Sequence, residues 1–117
     1  MLMSLTKNGK TDWDFFSELV ELHNAVTFGE KEEKEFDKFV LENKEKFNNP
    51  EYLQIFAERM SPLPRYYDEH LEICQFFYGF MENNPDWENF NFNLRAFIRL
   101  KAFQDTFKKY LAEKKEN

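Results

Sequence analysis

The chain has 117 residues, enough for a single domain that buries a core without metals or disulfides. Phenylalanine is frequent (15 residues), whereas glycine (3) and proline (4) are scarce, a composition that favours helices over a β-sandwich. The formal net charge of −6 argues against a nucleic-acid-binding protein, because phosphate binding requires a cationic surface.

Cysteine usage and hydropathy indicate where the protein works. A single cysteine, Cys74, excludes an internal disulfide and fits a reducing compartment. Residues 1–5 are too short for a signal peptide, and no window approaches the ~20 apolar residues of a membrane span. We therefore predict a soluble, intracellular protein without a membrane partner.

The first helix is predicted to begin at Thr11, after a loose lead-in over residues 1–10. Two apolar stripes follow at helical spacing, and Gly29 is the expected stop. The stripes comprise Trp13, Phe16, Leu19, Val20 and His23, and Phe15, Leu19, Leu22 and Val26.

A second helix is predicted over residues 30–47. It has one narrow apolar stripe, and its other faces carry mixed charge, which is typical of a solvated surface. The charged face and the apolar start of the first helix form the candidate interaction surface: Glu30, Glu32, Glu33, Glu35, Trp13 and Phe16.

Proline signals delimit the remaining helices. Asn49 followed by Pro50 predicts the start of a third helix, which Pro62 and Pro64 end. A fourth helix is predicted over residues 65–83, and the break at Asn84-Pro85 divides it from a long last helix. The apolar residues from Ile73 to Phe103 form the predicted centre of the core.

The fold class predicted from these elements is all-α, with about five helices in antiparallel hairpins. They form a single domain over residues 11–111, followed by a charged tail, residues 112–117, that is expected to fray. Three helix starts carry an aromatic residue at similar positions, Trp13, Tyr52 and Trp87, spaced by 39 and 35 residues. Such spacing is in the range of helix-pair repeats, so the domain is predicted to be either a short helical repeat or a small bundle.

The residues that could carry chemistry are few. The two histidines, His23 and His70, lack the Glu-x-x-His spacing of di-iron bundles, and His70 and Cys74 supply at most two metal ligands on one helix face. The glycines form no phosphate loop, and Arg95, Arg99 and Lys101 form only a small basic patch. We predict a protein without catalysis, metal or other cofactor; a metal-dependent enzyme using His23, His70 and Cys74 is the third hypothesis.

Three segments of the second half of the chain carry a family resemblance: Asn48-Asn49-x-x-Tyr52-Leu53-Gln54-x-Phe56, Phe76-x-x-Gly79-Phe80-Met81 and Asn84-x-Asp86-x-x-x-Phe90-x-x-x-Leu94-Arg95-x-Phe97-Ile98. Through them, residues 48–103 resemble the C-terminal part of the nuclear exportins, the receptors for leucine-rich export signals. Pro62 and Pro64 depart from the family pattern, and residues before 48 match it poorly.

This resemblance implies HEAT-like helix pairs from the end of a transport receptor that shuttles between nucleus and cytoplasm. The complete receptor would bind a Ran-type GTPase and cargo, while this segment would close and stiffen the solenoid. The resulting first hypothesis is a non-enzymatic protein-interaction module, which is expected to self-associate when isolated. The alternative is a small acidic inhibitor, immunity protein or antitoxin that covers a basic partner surface with residues 30–46.

Overall fold

The computed structural model of the protein describes residues 13–116, and within them the fold is all-α, as predicted. In this described part of the chain, six α-helices are joined by short links. The link after the second helix contains two 3₁₀ turns, Lys44–Lys46 and Pro50–Tyr52, and the link before the last helix contains one, Pro85–Asn89. The α-helices are α1 (Trp13–Thr27), α2 (Glu33–Glu42), α3 (Leu53–Arg59), α4 (Pro64–Glu69), α5 (Leu71–Asn83) and α6 (Leu94–Glu116). None of these helices combines the length and apolar character that crossing a bilayer requires.

Local signals in the sequence place two of the helix boundaries correctly. Gly29 adopts a positive φ of 80°, and the amides of Gly29 and Glu30 bond back to Val26 and Ala25, so a glycine turn ends α1 as predicted. The side chain of Asn49 accepts the amide N–H of Glu51 at 2.9 Å and caps the 3₁₀ turn that leads into α3. The predicted cap at Thr11 lies outside the described residues.

Other boundaries differ from the prediction. The helix expected over residues 65–83 breaks at His70, whose ring is held by carboxylates of α2, and gives α4 and α5. The helix expected over residues 30–47 is shorter, Glu33–Glu42. It begins where Glu32 and Glu35 form a capping box, and after Asn43 the chain continues as the 3₁₀ turn Lys44–Lys46.

The last helix begins later and ends later than predicted. Pro85 starts a 3₁₀ turn that buries Trp87, and the chain then extends to Asn93, whose side chain caps α6 by accepting the amide of Ala96 at 2.8 Å. The segment from Ala112, expected to fray, is helical to Glu116, and Lys114 within it pairs with Asp68 of α4 at 3.5 Å.

The helices pack in two rows. In the first row α3 lies between α1 and α6, and in the second row α2 lies against α5. Contacts of α1 with α2 and of α5 with α6 join the rows, and the short α4 bridges α5 and α6. The order of the helices within each row follows their order along the chain.

Aromatic rings fill the space between the rows, as the phenylalanine content and the Ile73–Phe103 stretch predict. Phe56 of α3 stacks on Phe77 of α5 with ring centroids 4.3 Å apart, and its edge contacts Phe103 of α6 at 5.0 Å. Phe77 in turn meets Phe47 at 5.7 Å. Each of these side chains is buried, so one continuous core serves both rows.

Phe56→Ala should lower the free energy of unfolding by about 3–5 kcal/mol, because it removes a ring that contacts both rows and leaves a cavity. Urea denaturation followed by circular dichroism measures the change. The matched control is Phe28→Ala at a ring that is 76% exposed, for which less than about 0.5 kcal/mol is expected. Equal losses for the two variants would contradict the assigned core.

Candidate functional site

Arg59 is the centre of a polar network that lies among α1, α2, α3 and the start of α5. Its side chain is 11% exposed, and its guanidinium donates to Thr27 Oγ1 at 2.8 Å and to Glu33 Oε1 at 3.2 Å. The same guanidinium lies over the ring of Phe36, 5.7 Å from its centroid. Both histidines of the chain join this network, one on each side of Arg59.

His70 occupies the α2 side of the network, at the break between α4 and α5. Its Nε2 lies 3.2 Å from Glu33 Oε2, and its Nδ1 lies 2.5 Å from Asp37 Oδ2. Tyr66 stacks on the imidazole at 4.2 Å. Burial raises the pKa of Asp37, against the opposing hydrogen bond from His70, and burial also raises the pKa of Tyr66 far above its ordinary value.

His23 occupies the other side. The Nη1 of Arg59 lies 3.3 Å from His23 Nδ1, and Glu58 Oε1 lies 3.1 Å from His23 Nε2. Because arginine can only donate, Nδ1 is the acceptor, and the proton of the neutral ring therefore sits on Nε2 and is donated to Glu58. Burial, followed by the charge of Arg59, lowers the pKa of His23 below 6.5, which favours this neutral form.

A cleft of about 450 Å³ opens beside His23, between α1, α3 and the first turns of α6. The guanidinium of Arg99 is fixed in its wall, where Nε donates to the carbonyl of Ala57 at 2.7 Å and Nη2 to that of Met60 at 2.6 Å. The polar side chains that line it are His23, Thr27, Gln54, Glu58, Arg95 and Arg99, together with Asn93.

The candidate metal-ligating residues do not converge. Cys74 is fully buried, and burial, with Asp37 nearby, raises the pKa of its thiol to about 12. Both ring nitrogens of His70 face carboxylates of α2, and His23 lies on the far side of Arg59. Among residues 13–116 no three His, Cys, Asp or Glu side chains are placed to hold a metal ion.

The predicted interaction surface divides into two parts. Trp13 and Phe16 lie at the start of α1, in edge contact at 5.8 Å, whereas the acidic residues lie past its end, about 20 Å away by helical rise. Glu33 is engaged by Arg59 and His70, and Glu35 lies 3.7 Å from Lys31. Glu30 and Glu32 are exposed, and Glu32 lies 3.9 Å from Lys34.

An apolar pair on α6 is left open to solvent. Leu94 is 74% exposed and Ile98 is 56% exposed, and they lie one helical turn apart on the same face. The helical spacing of Phe90, Leu94, Phe97 and Ile98 predicts an apolar face through this pair. The fold instead covers a different face of α6, that of Ala96, Leu100 and Phe103.

Sequence reasoning did not identify Arg59, Asp37 or Glu58 as members of one network. The available signal was weak: His23 and Thr27 are polar positions one turn apart on α1, and Arg59 ends a helix whose buried face is apolar. The partners lie 26–36 residues apart along the chain, so their meeting depends on how α1, α2 and α3 pack.

Comparisons with known proteins give no match: no family model, no curated protein and no solved structure matches this chain.

The stability of the protein should fall as the pH drops below 6.5, in part through His23. Because the folded state lowers the pKa of His23, neutral His23 stabilises the fold above 6.5, and this contribution is lost as the pH falls through the folded pKa. His23→Gln, which can still donate to Glu58, should flatten this part of the profile. Urea unfolding at a series of pH values from 8 to about 5 measures the effect.

The matched control for this prediction is Asn24→Gln, a neutral change at the next, exposed position of α1. It should retain the wild-type pH profile. Identical profiles for His23→Gln and the wild type would show that His23 does not contribute.

Proposed function

We propose that this chain is a non-enzymatic protein-interaction module that docks a helix of a second helical hairpin on the outer face of α6. The exposed pair Leu94 and Ile98 carries the proposal. Monomeric proteins expose single apolar residues routinely, but two adjacent large ones on a rigid helix form a small apolar ridge. A ridge at this spacing fits between side chains of a second helix.

The packing order of the helices supports a helical occupant. In the first row, α1 contacts α3, and α3 contacts α6. Leu94 and Ile98 lie on the side of α6 that this row leaves open. A further hairpin placed there would continue the row in the way that each repeat of a helical array contacts its neighbour.

The apolar surface of Leu94 and Ile98 is too small to hold two free chains together by itself. Burying two largely exposed aliphatic side chains contributes about 2–4 kcal/mol, which is less than a stable association of two free chains requires. Docking within one receptor, where the two parts are already tethered, needs less. The module therefore fits best as one end of a larger helical assembly.

Within this proposal, the assembly is an exportin-like transport receptor, because Leu94 and Ile98 belong to the segment that resembles the end of that solenoid. This chain would supply closure and stiffness, and the complete receptor would bind a Ran-type GTPase and its cargo. The contacts of α3 with both α1 and α6, together with the exposed ridge, support this assignment.

The acidic-inhibitor hypothesis has less support from the geometry. Of the acidic residues proposed to face a basic partner, Glu33 is held by Arg59 and His70, and Glu32 and Glu35 lie beside lysines. Their charge is therefore partly balanced within the chain.

The double substitution Leu94→Asp and Ile98→Asp should abolish weak self-association of the isolated chain and reduce its binding of a hydrophobic dye. Both effects follow because the ridge exposes two adjacent aliphatic side chains that a second copy or a dye can cover. Sedimentation velocity over a range of protein concentrations and dye fluorescence are the measurements. Added salt should not weaken the association, since an apolar contact does not depend on charge.

The control is the pair Ser17→Asp and Asn24→Asp, which makes the same charge change at exposed positions of α1. It should behave like the wild type. Dye binding that is the same for the wild type and the Leu94 and Ile98 double variant would overturn the proposed docking face.

A further inference from the structure

We propose that the cleft between α1, α3 and α6 binds a small molecule that carries a carboxylate or phosphate group. The proposal begins with the four arginines of the chain. Arg59 pairs with Glu33 at 3.2 Å, and Arg65 lies 3.7 Å from Glu69. Neither Arg95 nor Arg99 forms an ion pair with a carboxylate among residues 13–116, and both line the same cleft.

Arg99 is held in position for an incoming anion. Two of its N–H groups donate to the carbonyls of Ala57 and Met60, at the end of α3, and fix the plane of the guanidinium. Arginine has five donors, so others remain for a ligand. Because the bonds to neutral carbonyls leave the positive charge without a counter-charge, an oxyanion in the cleft would gain strong charge-assisted hydrogen bonds.

Glu58 is the carboxylate that lines the cleft, and its oxygens are engaged by neutral donors. His23 approaches Oε1 at 3.1 Å, and Gln54 donates to Oε2 at 3.2 Å. These contacts turn the Glu58 carboxylate toward His23 of α1 and Gln54 of its own helix. Glu58 forms no ion pair with Arg95 or Arg99. The cleft therefore carries two arginines against one carboxylate, an excess of positive charge in a protein whose net charge is −6.

The dimensions and neutral groups suit a small polar ligand. A volume of about 450 Å³ lies within the range of small-molecule pockets. Thr27 supplies a hydroxyl on the α1 side, and Asn93 lies at the capped start of α6 beside Arg95. The chemistry that these groups recognise is an oxyanion on Arg95 and Arg99, with hydroxyl or amide groups of the ligand toward Thr27 and Gln54.

Titration with inorganic phosphate and, separately, citrate tests the proposal, with sodium chloride at matched ionic strength as the reference. Two-dimensional NMR should show saturable shifts of the Arg99 Nε–H and of the Arg95 and Ala96 amides. Arg95→Gln should weaken binding about tenfold, because it removes one charged donor at an exposed position that does not support the fold. Arg65→Gln, at an exposed arginine on α4, should bind like the wild type.

Two results would overturn the proposal: shifts that do not saturate or that sodium chloride reproduces, and equal losses of affinity in Arg95→Gln and Arg65→Gln. The docking proposal for α6 is tested separately. The neutral pair Leu94→Ser and Ile98→Ser removes the apolar ridge without adding charge beside the two arginines of the cleft. This variant should retain anion binding, so that failure of one proposal can be distinguished from failure of the other.

Discussion

The stack of Phe56 on Phe77 is the contact on which the two-row arrangement depends. It joins α3, the middle helix of one row, to α5 of the other. Phe56 also contacts Phe103, and Phe77 also contacts Phe47. Aromatic pairs prefer offset or edge-on contact over a face-to-face sandwich, so rings packed in this way restrict the distance and angle between the helices that carry them. The high phenylalanine content is thereby explained by packing between rows.

The Arg59 network lies beside this core and has a different role. Buried charges cost free energy unless each is partnered, and here the guanidinium, both imidazoles and their carboxylates satisfy one another. Such a network tolerates fewer relative positions of α1, α2 and α3 than an apolar contact would, because hydrogen bonds are directional. It also explains why the helix is interrupted at His70: the break places the imidazole against Glu33 and Asp37 of α2.

The sequence was sufficient for the helical class, for the core and for helix ends that depend on nearby residues. Gly29 and Asn49 act through backbone groups within a few positions, so their effect can be predicted locally. The break at His70 and the late start of α6 could not be predicted, because they depend on carboxylates of α2 and on the burial of Trp87. The cleft likewise required the positions of Arg95 and Arg99 relative to α1 and α3.

The two tryptophans differ in solvent exposure, so their fluorescence should respond differently when the chain unfolds. Trp13 is 57% exposed, whereas Trp87 is fully buried, and its indole N–H has no acceptor among the described residues. Water already surrounds much of Trp13, so its emission maximum should change little when the chain unfolds. Trp87 emits from an apolar site at the junction of α5 and α6, so a red shift of the fluorescence reports exposure of Trp87 to water.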